Sequence, residues 1–72
     1  MNLKVDEIRA MSVDEIRARL GDARHELITM RFQQATGELT DTSQIKITRR
    51  TIARLLTILN ERERLAQMEG EA

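Results

Sequence analysis

Apolar residues recur along this chain at steps of three and four. Val13, Ile16, Leu20, Ala23, Leu27 and Met30 form one row; Ile45, Thr48, Ile52, Leu55 and Leu59 form a second, widened by Leu56, Ile58 and Leu65. Such steps return side chains to one face of an α-helix, so each row predicts an amphipathic helix packed on a partner. Start and stop signals frame both rows. Ser12-Val13-Asp14-Glu15 reads as a capping box, with Met11 and Ile16 placed as a hydrophobic staple. Gly37 suits the left-handed conformation that ends a helix, and Asp41 with Gln44 three residues on opens the next one. A connection of roughly four residues forces neighbouring helices antiparallel. The expected fold is therefore all-α: an antiparallel two-helix hairpin in a single domain over residues 1–72, with a helix at 12–36, a turn at 37–41, a helix at 42–65 and a frayed tail at 66–72. Val5–Arg9 has room for one short extra helical turn at the N-terminus. Leu20, Leu27, Ile52, Leu55 and Leu59 are expected in the shared seam. Gly21 interrupts the first row at a cost of about 1 kcal/mol relative to Ala, as a tolerated defect or because something approaches that face. Ile28 and Phe32 lie off the seam, and an exposed pair of this kind either marks a contact or belongs to the scattered surface apolar residues that need no cause.

Composition removes several function classes. The chain has 72 residues, no Cys, no Pro and one His. Disulfides and Cys-based zinc sites are excluded, and His25 alone makes no His cluster, so neither a metal nor a cofactor is expected. Catalysis needs a positioned constellation in a water-excluding site, and a domain this small buries only about 60% of its unfolded surface. Ser12 is explained as a cap. Asp6-Glu7 and Asp14-Glu15 are sequence neighbours, so their carboxylates diverge on a helix. An enzyme, or any binder of a small-molecule substrate, is the poorest reading. No apolar run approaches the ~20 residues a membrane span needs, and the charged start Met1-Asn2-Leu3-Lys4-Val5-Asp6 lacks a secretory h-region. A cytoplasmic protein is expected.

The net charge of zero hides a polarity. Residues 17–54 carry eight cations against four acids, whereas 1–16 and 55–72 each carry two cations against four acids. On a helical wheel Lys46, Arg50 and Arg54 follow i, i+4, i+8 spacing about 180° from the seam. Arg49 stands beside them, and no acidic residue occurs between Gln44 and Asn60. Such a row suits a polyanion, because neutralised phosphates release counterions. Arg17, Arg24 and Arg31, seven apart, make a second row at the edge of the first seam. They serve either as further cations for the same partner or as ion-pair partners of the other helix.

Two blocks carry a family resemblance. The segment from Glu26 to Leu39, with Arg31-Phe32-Gln33-Gln34-Ala35-Thr36-Gly37 at its centre, resembles the end of the first helix and the turn of the bacterial ribosomal large-subunit protein 29 family. The segment Arg49-Arg50-Thr51-Ile52-Ala53-Arg54 and the residues to Arg62 resemble that family's second-helix signature. The resemblance covers roughly residues 3 to 64. It implies a helical hairpin of the large ribosomal subunit that acts in translation near the nascent-chain tunnel exit. There it would contact large-subunit rRNA and neighbour ribosomal large-subunit protein 23, close to where nascent-chain chaperones and targeting factors dock. Arg31, Phe32, Gln33, Thr36, Gly37, Arg49, Arg50 and Arg54 are the positions it implies as RNA or neighbour contacts. Three positions depart from the family's habit: Glu38 for Gln, Leu56 for a frequent basic residue, and Thr51 for a commonly acidic one.

The rival function is a stand-alone hairpin that dimerises into a four-helix bundle, which the two seams alone would permit. Such a module would be a stable dimer indifferent to RNA.

Overall fold

The computed structural model describes residues 1–38 and 41–71, side chains of 69–71 excepted. All regular structure among them is helical: α1 Val5–Arg9, α2 Val13–Ala35 and α3 Ser43–Glu71. The molecule is a rod of 54 × 19 × 15 Å, an α2–α3 hairpin with α1 laid against α3. The architecture is the all-α hairpin with the additional N-terminal turn.

The caps follow the sequence at one end and differ at the other. Ser12 Oγ accepts from the Glu15 N–H at 3.2 Å, the forward half of the capping box. At the far end of α2, the Gly37 N–H donates to the Gln34 carbonyl and the Glu38 N–H to the Gln33 carbonyl at 2.8 Å. This paired arrangement is the Schellman motif, and it places Gly37 at φ +81°. At α3 the expected Asp41–Gln44 box gives way to a tighter turn. The Asp41 carboxylate accepts from the Ser43 N–H at 3.0 Å and from its hydroxyl at 2.6 Å. These bonds favour the charged carboxylate and hold its pKa below the usual value. This anchoring is therefore complete above the ordinary carboxylate pKa and is lost as pH falls through the lowered one.

Leu39 and Thr40, within the expected turn at 37–41, lie outside the described residues, as does Ala72. Where a helix end at 65 and a tail at 66–72 were expected, α3 runs to Glu71. Ala66, Gln67 and Met68 are good helix formers, and no proline interrupts them.

The core is not a simple two-helix seam. Ile8, Ile16, Leu20, Ala23, Leu55, Ile58 and Leu59 are buried together where three helices meet. Leu27 and Ile52, both expected in the seam, are half-buried, Ile52 packed against this cluster, while Met30 nearer the turn is buried. Thr48 and Thr51, by contrast, are fully buried. Thr48 belongs to the expected row, whereas Thr51 widens the buried face of α3 beyond it, on the flank that the N-terminal segment covers.

Five residues cannot sustain a helix alone; contacts with α3 hold α1 in place. Ile8 is completely buried. The Arg62 guanidinium donates to the carbonyls of Arg9, at 2.6 Å, and Met11, closing the C-terminal end of α1. Arg9 pairs with Glu61 at 3.4 Å.

The two interior glycines differ in kind. A Cβ at Gly21 meets nothing within 4 Å, so within this chain the residue is a propensity defect. Gly37 has open space too, but its positive φ penalises any L side chain. Gly21→Ala is expected to stabilise the chain by about 1 kcal/mol, and Gly37→Ala to destabilise it by about 1–2 kcal/mol. Urea titration of both variants checks the contrast, and shifts of the same sign would refute it.

Candidate nucleic-acid interface

The outer face of α3 is the most cationic part of the molecule. Lys46, Arg49 and Arg50 are exposed and surround a shallow depression floored by Ala53. None of the three forms an ion pair among the described residues. Their separation from the core follows from α3's register: Lys46 and Arg50 fall about 160° and Arg49 about 100° from the centre of the buried Thr48–Leu55–Leu59 face at 100° per residue. Small side chains lie between the cations, and the Thr57 hydroxyl is turned back to the Ala53 carbonyl at 2.8 Å. A polymer backbone can thus approach the helix closely while long cationic arms reach up beside it.

Arg54 departs from the expected row. It does not point away from the core with Lys46 and Arg50. It is half-buried, and its Nη1 donates to the Leu3 carbonyl at 3.1 Å. One of its five donors is therefore engaged in holding the N-terminal segment, and the rest remain for a partner. The same segment is fastened by Thr51, whose hydroxyl donates to the Met1 carbonyl at 2.9 Å and accepts from the Leu3 N–H at 3.3 Å. The Met1 ammonium reaches Glu26 at 2.5 Å and Thr48 Oγ1 at 3.2 Å.

The first-helix arginines do not act as one row. Arg17 bonds Glu63 of α3 at 3.0 Å and lies 4.0 Å from Asp14. It is half-exposed, so the pair is worth little to stability, yet it occupies the side chain. Arg24 and Arg31 are exposed and make no ion pair among the described residues. The second row is thus divided between an ion-paired Arg17 and the exposed Arg24 and Arg31.

At the turn, structural duties explain part of the set. Gln33 is half-buried, and its carbonyl accepts from the Thr36 hydroxyl at 3.1 Å as well as from Glu38. Gly37 supplies the positive φ. Gln33, Thr36 and Gly37 therefore build the turn, while Arg31 and Phe32 project from it. Phe32 is 69% exposed and Ile28 67%, as the off-seam positions implied. No titratable cluster that could hold a metal occurs among the described residues, and no helix is long and apolar enough to cross a membrane.

Sequence reasoning missed Lys4. It is exposed and borders a groove with Asn2, Ile47, Arg50 and Arg54. Nothing in local spacing connects residue 4 with residues 50 and 54, because only the docking of the N-terminal segment brings them together. The buried Thr48 and Thr51 were the available signal: two hydroxyls on an otherwise apolar face need partners.

The family model described as "Ribosomal L29 protein" matches residues 6–62. The chain is 50% identical over 60 residues to the large ribosomal subunit protein uL29 of Rubrobacter xylanophilus, covering 83% of this chain and 90% of that protein. It is 46% identical over 67 residues to the protein of the same name from Chloroflexus aurantiacus, covering 93% and 97% of the two chains. To that of Symbiobacterium thermophilum it is 44% identical over 70 residues, covering 97% and 100%.

Proposed function

The chain belongs to the ribosomal L29 protein family, a structural constituent of the large ribosomal subunit and not an enzyme, and from that premise we propose that it is held there by large-subunit rRNA along the outer face of α3. The carrying observation is the group Lys46, Arg49 and Arg50, exposed, without acidic partners among the described residues and set around the small Ala53. Each cation neutralises a phosphate and releases counterions. Such contacts position the protein and read RNA shape more than sequence. Arg54 adds its free donors at the margin. Arg24 and Arg31 make a second contact from the flank of α2, and Arg17 joins them by exchanging Glu63 for a phosphate. Ile28 and Phe32, apolar and exposed beside Arg24 and Arg31, suit a protein neighbour better than RNA. In the cytoplasmic ribosome that neighbour is ribosomal large-subunit protein 23, near the tunnel exit where nascent-chain factors dock.

Affinity of the full chain for large-subunit rRNA fragments, measured across salt concentrations, tests this reading. It is expected to fall with a log–log slope of roughly 0.7–0.9 per phosphate contact, and the chain should sediment with large subunits. A salt-independent affinity, or a stable dimer that ignores RNA, would instead favour the four-helix-bundle module.

A further inference from the structure

We infer that the N-terminal segment completes a phosphate seat on α3, in which Lys4, Arg50 and Arg54 converge on one RNA phosphodiester and Asn2 lines the rim; this rests on the rRNA-binding reading above. The groove lies between residues 2–4 and α3, and Asn2, Lys4, Ile47, Arg50 and Arg54 line it. Three of these five residues are cations, and no acidic side chain lines the groove. Lys4 and Arg50 are exposed and make no ion pair among the described residues. Three like charges brought together this way repel one another. A bound anion relieves that repulsion, and a planar guanidinium with a flexible ammonium suits phosphate oxygens.

The wall of the seat that carries Lys4 is also fixed. Thr51 accepts from the Leu3 N–H and donates to the Met1 carbonyl, and Arg54 donates to the Leu3 carbonyl at 3.1 Å. Residues 1–3 are therefore tied to α3 by four bonds to three side chains spaced one helical turn apart, Thr48, Thr51 and Arg54, and Lys4 follows directly. The Leu3 bond also fixes the Arg54 guanidinium at the edge of the groove, with its remaining donors available to a ligand. Arg54 thus has two tasks here: it holds the segment and faces the phosphate. Thr51 acts through the segment and not on the ligand, as a positioning residue for Lys4.

The test uses the full chain and a large-subunit rRNA fragment, with affinity measured against salt. Lys4→Gln is expected to lower the log–log slope by roughly 0.7–0.9, the loss of one phosphate contact, and Lys4→Arg to restore it. Thr51→Val, which removes two of the four bonds that hold the segment to α3 and leaves Lys4 intact, is expected to lower the slope by up to a similar amount, and adding Lys4→Gln to it should lower it no further than Lys4→Gln alone. Arg64→Gln, an exposed change outside the groove, is expected to leave the slope as it was. If the wild-type slope is steep and Lys4→Gln leaves it unchanged, the seat is refuted while rRNA binding stands. If the wild-type chain shows no salt-dependent binding, both are overturned.

Discussion

Leu55→Ala is expected to unfold much of the free chain. Leu55 is fully buried among Ile8, Ile16, Leu20, Ala23, Ile58 and Leu59, where all three helices meet. Truncating a buried leucine costs about 2–5 kcal/mol, the spread reflecting how far the site can collapse. Domains of this size have little to lose: at roughly 0.05–0.15 kcal/mol per residue, total stability is only on the order of 4–11 kcal/mol. Leu27→Ala is the informative comparison. Leu27 belongs to the same apolar row by sequence, but it is half-buried at the two-helix end, so its truncation should cost clearly less. Urea denaturation followed by helical circular dichroism measures both. Equal losses would mean that the three-helix junction is not where the stability lies.

Lys46→Glu combined with Arg50→Glu is expected to abolish most rRNA affinity at physiological salt while leaving the fold intact. Both side chains are exposed on the face of α3 remote from the core, and neither makes a hydrogen bond or ion pair to the rest of the described chain. Losing two phosphate contacts should reduce the log–log salt slope by roughly 1.4–1.8, and the new carboxylates add repulsion. Arg54 is unsuited to the same test. Its bond to the Leu3 carbonyl means that reversing its charge would also release the N-terminal segment, confusing a binding effect with a structural one. Incorporation of the double variant into large subunits, alongside its helix content, decides the matter. Normal incorporation with an unchanged slope would leave the outer face of α3 as a merely solvated one and move the contact to Arg24 and Arg31.

The hairpin itself was determined by sequence, because its signals are local. Steps of three and four, Ser12 with Glu15, and Gly37 after Thr36 each act within one or two helical turns, and the structure repeats them as α2, its N-cap and its Schellman turn. The exposure of Lys46, Arg49 and Arg50 was legible for the same reason: once α3 is a helix, its register fixes which residues lie opposite the core. What lay beyond the sequence depends on contacts between residues about fifty positions apart. Thr51 bonds the backbone at Met1 and Leu3, Arg54 the Leu3 carbonyl, and Arg62 the carbonyls at Arg9 and Met11. These bonds turn Thr51 of α3 inward, draw Arg54 out of the cationic row and bring Lys4 beside it. Periodicity cannot foresee them, because a backbone carbonyl leaves no mark in the residue pattern. Only the docking of the N-terminal segment decides which side chains meet it.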